Sequence, residues 1–141
     1  MDFLIDTNVI LDFILERKSY TIVRDCIMAL ARSHSGIYIS ATCVTDIFYI
    51  LRRHFHSYES AYRAIDDVFA IANVLSVSDR EISFARSLRW KDFEDCVQYA
   101  AAKSHRMDYI VTNNANDFEA CSPDAITPDE LLNIMNQNSK K

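Results

Sequence analysis

Short apolar runs alternate along this chain with longer stretches in which apolar residues recur at helical spacing. The runs with the length and composition of buried strands are Phe3–Ile5, Ile37–Ile39, Val74–Val77 and Tyr109–Val111, with a brief fifth near Ala125–Ile126. Strands of this kind, separated by helices, predict an α/β fold in which a short parallel sheet is covered by helices on both faces.

The segments between these strands carry helix-start residues followed by apolar stripes three and four residues apart. The predicted helices are Val9–Leu15, Ser19–Ser33, Ala41–His54, Tyr58–Ala72, Ser78–Leu88, Asp92–Ser104 and a last one starting at Thr127. Pro128 in the first turn of the last helix, followed by two acids, suits a helix N-terminus. No repeat or linker is visible. We therefore expect a single domain over residues 1–136 and a frayed polar tail over 137–141.

The composition fits one folded domain. The chain has 141 residues, half of them apolar, which is enough for a full core. No apolar run approaches the roughly 18 residues of a membrane span, and no signal-type segment precedes the first strand, so we expect a cytoplasmic protein. The cysteines are widely spaced without a C-x-x-C pair and are expected to be buried thiols. They are Cys26, Cys43, Cys96 and Cys121.

Charge and glycine content restrict the function further. The net charge is −5, whereas proteins that bind nucleic acid by bulk electrostatics are more often basic. A site made of carboxylates can nevertheless hold a cation that receives phosphate. Gly36 is the only glycine of the sequence, which excludes the glycine-rich loops of dinucleotide-binding proteins and P-loop NTPases.

Four aspartates stand where a parallel sheet would bring side chains together. Asp6 ends the first strand, Asp117 follows the fourth, and Asp95 lies in the first turn of a helix. Ligands bind at the carboxyl ends of the strands in open α/β sheets. Asp46, in the second turn of the helix after the second strand, would lean into the same crevice.

Each aspartate also has an ordinary structural explanation. Asp6 can cap the next helix, Asp95 can join a capping arrangement with Asp92, Asp117 can be a turn residue, and Asp46 can be an exposed helix position. Carboxylates crowded into one pocket repel each other unless a cation joins them. Oxygen ligands suit Mg²⁺ or Mn²⁺, and such an ion can activate a water for attack on a phosphodiester.

The sequence resembles the PIN-domain nucleases, and within them the VapC-like toxin ribonucleases of toxin–antitoxin pairs. The segments that carry the resemblance, in chain order, are Leu4–Val9, Ile39–Ala41, Asp92–Asp95 followed by Ala100–Ala102, Tyr109–Asn114 with Asp117-Phe118, and Thr127–Leu132. The resemblance implies an α/β/α sandwich with an acidic pocket that holds Mg²⁺ or Mn²⁺ and cleaves RNA.

By position, the resemblance assigns residues to this pocket. The implied catalytic and metal-binding set is Asp6, Asp46, Asp95 and Asp117, and the supporting or water-binding groups are Thr7, Asn8, Thr112 and Asn114. Two positions depart from the family pattern. Asp46 stands where relatives usually carry Glu, which shortens its reach, and Asn114 stands where many carry Asp, which removes a charge.

The resemblance also implies protein partners. A cognate antitoxin is expected, and VapC-like proteins often pair through helices at the flank of the sheet. The third and fourth helices here carry more large apolar residues than the core needs, namely Phe48, Tyr49, Tyr62 and Phe69. We therefore expect a symmetric homodimer.

An RNA substrate would also need phosphate contacts. The basic residues closest in sequence to the acids are Arg52, Arg53, Arg89 and Lys91. Trp90, beside Arg89 and Lys91, can either stack on a base or seal the edge of the core.

Three functions remain open from the sequence. The first is a metal-dependent endoribonuclease that acts as a toxin. The second is a PIN nuclease of RNA processing without toxicity. The third is a catalytically silent module that binds RNA or protein, which the departures at Asp46 and Asn114 would fit.

Overall fold

A twisted parallel sheet forms the centre of the molecule in the computed structural model, which describes residues 1–120 and 122–140. Within those residues the sheet has five strands, in the order β3-β2-β1-β4-β5, and every neighbouring pair is parallel. The strands are β1 (Asp2–Ile5), β2 (Gly36–Ser40), β3 (Asn73–Leu75), β4 (Tyr109–Val111) and β5 (Asp124–Ile126).

Helices connect the strands and cover both faces of the sheet. They are α1 (Thr7–Ile14), α2 (Tyr20–Arg32), α3 (Ala41–Phe55), α4 (Tyr58–Ile71), α5 (Asp79–Leu88), α6 (Phe93–Ser104) and α7 (Pro128–Ser139). A single 3-10 turn, Ala115–Asp117, follows β4. The strand order reverses direction at β1, whose neighbours are β2 and β4. The carboxyl end of β1 is therefore the switch point at which such sheets bind ligands.

The alternation of side chains along β1 divides the core into two halves. Phe3 and Ile5 face the larger half, which α1 to α4 and α7 fill. Leu4 faces the other half, where it packs with Tyr99 of α6 and Ile110 of β4. Helix α5 packs on the outer side of α6 through Ala85. The predicted three-layer α/β/α arrangement is confirmed.

Most predicted elements lie within one or two residues of their observed bounds, and the C-terminus differs most. Helix α7 continues to Ser139, so residues 137–139 are helical instead of frayed, and Lys141 lies outside the described residues. The expected buried thiols are found at Cys26, Cys43 and Cys96, and Cys121 also lies outside the described residues. In the described part of the chain no helix is long and apolar enough to cross a membrane.

Candidate active site

Asp6 occupies the position between β1 and α1, and its side chain does not cap the helix. Its backbone carbonyl accepts hydrogen bonds from the amides of Val9 and Ile10, and its own amide donates to Val111 at 2.9 Å. These backbone bonds fix Asp6 at the junction of β1, β4 and α1. The carboxylate makes no capping bond and lies buried at 5% exposure. The capping alternative for Asp6 is therefore wrong.

Two neutral donors hold the Asp6 carboxylate in place. Gln98 donates from Nε2 to Oδ1 at 2.8 Å, and the Thr112 hydroxyl donates to Oδ2 at 2.8 Å. Gln98 and Thr112 are themselves fully buried. A buried carboxylate needs such partners, because an unpaired charge in a protein interior is costly. No cation pairs with it among the described residues, so the site keeps its negative charge.

Asp95 joins Asp6 from the first turn of α6. The helix is capped by Asp92, whose Oδ1 accepts the Asp95 amide at 3.0 Å, so the carboxylate that caps is Asp92 while the Asp95 side chain is free to face the site. Burial, and after it the negative charges of Asp6, Asp92, Glu94 and Asp117 in that order, together raise the pKa of Asp95 to about 7. The structure thus brings Asp6, Asp95 and Asp117 into one electrostatic cluster.

Asp117 reaches the cluster from the turn after β4. Its amide donates to the Asn114 carbonyl at 3.0 Å, which closes the 3-10 turn, and its side chain is exposed. The Asn114 amide donates to the Thr112 hydroxyl at 3.1 Å. Asn114 therefore acts through its backbone, which orients the hydroxyl that binds Asp6.

Asp46 lies in a crevice beside the cluster. The crevice is lined by Thr7, Asn8, Asp46, Tyr49, Ile50 and Glu94. Burial raises the pKa of Glu94, and the nearby charges of Asp46, Asp6 and Asp92 raise it further. Glu94 thus shares the crevice with Asp46 and is also close enough to Asp6 to be affected by its charge, and Asp46 is an exposed residue.

The remaining predicted supporting residues differ in their surroundings. Thr7 is buried, and within residues 1–120 and 122–140 its hydroxyl has no hydrogen-bond partner. Asn8 is exposed, and its backbone carbonyl accepts a hydrogen bond from the Arg17 guanidinium. Asn113, which the sequence did not single out as a site residue, donates to Asp12 at 3.0 Å, and Asp12 also pairs with Arg17 at 2.9 Å. This polar link ties the turn after β4 to α1.

The predicted RNA-binding residues are all exposed, which leaves them free to contact a ligand. They are Arg52, Arg53, Arg89 and Lys91. Lys91 lines a second crevice together with Asp117. Trp90 stacks on Tyr99 with ring centroids 5.0 Å apart and meets Phe118 edge-on, so its ring belongs to the edge of the core.

Two site residues escaped the sequence analysis. Gln98 is a polar side chain inside the buried run Cys96–Ala102, and an amide within such a run is itself a signal, because buried polar groups are found where they have partners. Glu94 is the middle acid of three in and beside the first turn of α6. Three acids within four positions are more than a favourable interaction with the helix dipole requires, and this excess was the available signal for Glu94.

The donor set suits a hydrated divalent ion. Within the described ranges no three carboxylate, thiolate or imidazole groups lie close enough to enclose an ion. Mg²⁺, however, keeps several waters and is commonly bound by one or two carboxylates. Asp6 and Asp95 supply two, and burial together with the neighbouring acids raises the pKa of Asp95, which shows that its negative charge is unfavourable there without a cation. The Gln98 Oε1 atom, buried without a partner in the described structure, offers an acceptor to a bound water.

This fold and acidic cluster are those of a known class. The chain matches the PIN domain family over residues 2–116, and it belongs to that family. The resemblance drawn from the sequence motifs is confirmed.

Similar solved structures come from bacterial toxin–antitoxin systems. VapBC2 from Rickettsia felis, bound to a DNA fragment from its promoter, has a TM-score of 0.68 at 20% identity over 90% of this chain and 97% of that one. A toxin–antitoxin complex from Klebsiella pneumoniae has a TM-score of 0.65 at 23% identity, over 89% and 96%. Mycobacterium tuberculosis VapC20, a sarcin–ricin loop cleaving toxin, has 0.61 at 14%, over 77% and 86%. No curated protein matches the sequence.

Proposed function

We propose that this PIN domain is a divalent-metal-dependent endoribonuclease. The observation that carries the proposal is the buried Asp6 carboxylate, which Gln98 and Thr112 orient without neutralising it. Asp95 faces the same point with its pKa raised to about 7. A preorganised negative site of this kind favours a cation, and a cation there would attract an RNA phosphate.

The ion we propose is Mg²⁺ or Mn²⁺, because the available donors are oxygens. Asp6 and Asp95 would hold it, and Asp117 and Asp46 would contact its waters. When bound, such an ion lowers the pKa of a coordinated water and neutralises charge on the phosphodiester. Gln98 and Thr112 keep the Asp6 oxygens in position. The exposed Arg52, Arg53, Arg89 and Lys91 are proposed to bind the flanking RNA backbone.

We propose further that the protein is the toxin of a toxin–antitoxin pair and acts in the cytoplasm. The structural neighbours named as VapBC and as a toxin–antitoxin complex support a cognate antitoxin, and the neighbour named as a sarcin–ricin loop cleaving toxin supports the RNA substrate. A PIN nuclease of RNA processing is the alternative. Production of the protein without an antitoxin distinguishes these two functions. A toxin should arrest growth, and the Asp95→Asn variant should not.

Cleavage of a mixed RNA pool tests the chemistry. We expect cleavage with Mn²⁺ or Mg²⁺ and none with a chelator. Asp6→Asn should abolish it and still fold, because a half-turn of the Gln98 amide lets its Oε1 accept from the new amide nitrogen, while the new amide oxygen accepts from Thr112. Asp66→Asn, a change at an exposed acid of α4, is the matched control. Full activity of Asp6→Asn would exclude this mechanism, and no cleavage by wild type would favour a silent binding module.

A further inference from the structure

Two exposed aromatic side chains line two separate crevices beside the acidic cluster. Phe93, the first residue of α6, is 49% exposed, and Tyr49 of α3 is 60% exposed. Each lines a crevice that also contains site acids. Phe93 lies with Asp92, Asp117 and Lys91, and Tyr49 lies with Asp46 and Glu94. An exposed aromatic ring beside the site has an apolar face that a ligand can cover, and burial of that face would stabilise the bound state.

The first turn of α6 explains why the crevices flank the cluster. Successive side chains of a helix point about 100° apart, so Phe93 lines one crevice, Glu94 lines the other, and Asp95 faces Asp6 between them. The crevices have volumes of about 540 and 360 Å³, which are in the range of small-ligand pockets. A chain that passes over Asp95 therefore meets one aromatic ring before the acids and another after them.

We propose that Phe93 and Tyr49 are base-stacking platforms that hold a single-stranded RNA segment across the cluster, an inference that rests on the proposed nuclease function. Stacking accepts any base and needs its face uncovered, which excludes a base inside a duplex. The Arg53 guanidinium lies 5.7 Å from the Tyr49 ring centroid, so it covers one face of that ring and leaves the other for a base. Arg53 and Lys91 are then placed to contact the phosphates beside the two stacked bases.

Trp90 shows by contrast what an aromatic residue of the core looks like here. It is adjacent in sequence to Lys91, yet its ring stacks on Tyr99 and touches Phe118. The platforms are therefore distinguished by exposure and by their place in the crevices, and sequence proximity to basic residues does not identify them.

Binding of a fluorescein-labelled single-stranded RNA of about 12 nucleotides tests the proposal. The protein carries Asp95→Asn so that the RNA stays intact, and the same RNA annealed to its complement is the second probe. Phe93→Ala and Tyr49→Ala should each weaken single-strand binding by about 5- to 100-fold. Phe93→Tyr and Tyr49→Phe keep an aromatic ring and should bind the single strand as the parent protein does. Binding of the duplex should be weak in every variant.

Tyr58→Ala is the matched control, because Tyr58 is 56% exposed at the start of α4 and lines neither crevice. It should change single-strand binding by less than about twofold. Binding by both alanine variants within that same margin overturns the stacking proposal, and so does equal affinity for duplex and single strand. If the Asp95→Asn protein without further changes binds neither RNA, the proposed function fails together with the inference.

Discussion

Gln98 in the middle of α6 donates a hydrogen bond to Asp6 at the end of β1 across 2.8 Å, although 92 positions separate the two residues in the chain. Together with Thr112, it fixes both oxygens of a carboxylate that is almost fully buried. The site is thus supported from both sides of β1, by β4 and by α6. Neutral donors orient the carboxylate and leave its charge for a ligand.

Removal of these donors should reduce both the stability and the activity of the protein. Gln98→Leu and Thr112→Val each keep the buried volume similar and leave one Asp6 oxygen unpaired, at a cost of about 1–3 kcal/mol in the free energy of unfolding. We expect RNA cleavage to fall by about 10- to 100-fold, as when the groups that orient a metal ligand are changed. Thr112→Ser keeps the hydroxyl and should retain most activity. Cleavage by Thr112→Val at the wild-type rate would show that Thr112 does not position Asp6.

Divalent metal should stabilise the native state. The carboxylates of Asp6, Asp95 and Asp117 repel one another without a cation, and an ion that binds only the folded protein raises Tm with its concentration. The measurement is a thermal-shift titration with Mn²⁺ and Mg²⁺. Asp6→Asn should remove most of the shift, while Asp66→Asn should keep it. A Tm that stays constant up to about millimolar Mn²⁺ would contradict a metal site here.

Stability without metal should fall as the pH rises through the range in which Asp95 ionises. Its pKa is raised from the ordinary 3.8 to about 7, so between about 4 and 7 the folded protein keeps a proton that the unfolded chain has lost. This group therefore contributes stability below about pH 4 and loses that contribution progressively as the pH rises to about 7. The pKa of Glu94 is also raised, so its ionisation adds to the loss of stability at higher pH.

The comparison that isolates Asp95 is wild type against Asp95→Asn in the presence of a chelator. The variant should gain Tm relative to wild type as the pH rises from about 4 to about 7, because only the wild type acquires the unfavourable charge. A difference in Tm that is independent of pH would show that Asp95 ionises normally.

Asp46 is exposed in the crevice that contains Glu94, so its role at the proposed metal site is tested separately. If it binds a water of the ion, Asp46→Ala should lower cleavage by about 10- to 100-fold. Asp46→Glu keeps the charge and should be much milder. Asp66→Ala supplies the control for loss of an exposed helical acid. Equal and near-normal rates for both Asp46 variants would reduce the set to Asp6, Asp95 and Asp117.

The part of α3 and α4 that carries Phe48, Tyr62 and Phe69 is proposed as a homodimer surface, whereas Tyr49, expected there from the sequence, lies in the crevice with Asp46 and Glu94. Tyr62 and Phe69 are 57% and 50% exposed, and Tyr62 packs on Phe48 at a centroid distance of 4.7 Å, which leaves an apolar surface between the helices. Light scattering should report a dimer at about tens of micromolar. Phe69→Glu should shift it to monomer, and Met28→Glu, at an exposed position of α2, should not. A monomeric wild type at that concentration would exclude the dimer.

The sequence alone determined the layer architecture and predicted the members of the acidic set. Alternating apolar runs and helical stripes depend on local periodicity, and a parallel sheet places every strand's carboxyl end at one edge. This is why Asp6, Asp95 and Asp117 could be predicted to converge. Three capping residues could also be predicted from the sequence, because a cap depends on neighbours two or three positions away. They are Ser78, Asp92 and Thr127.

Only the tertiary structure decided what each side chain of the site contacts. The partner of Asp6 on α6, the crevice that Glu94 shares with Asp46, and the stacking of Trp90 on Tyr99 depend on how α6 rotates against the sheet. That rotation is set by packing of Tyr99, Ala102 and their neighbours on Leu4 and Ile110. Packing of this kind joins residues far apart in the chain, and no local pattern records which of them will meet.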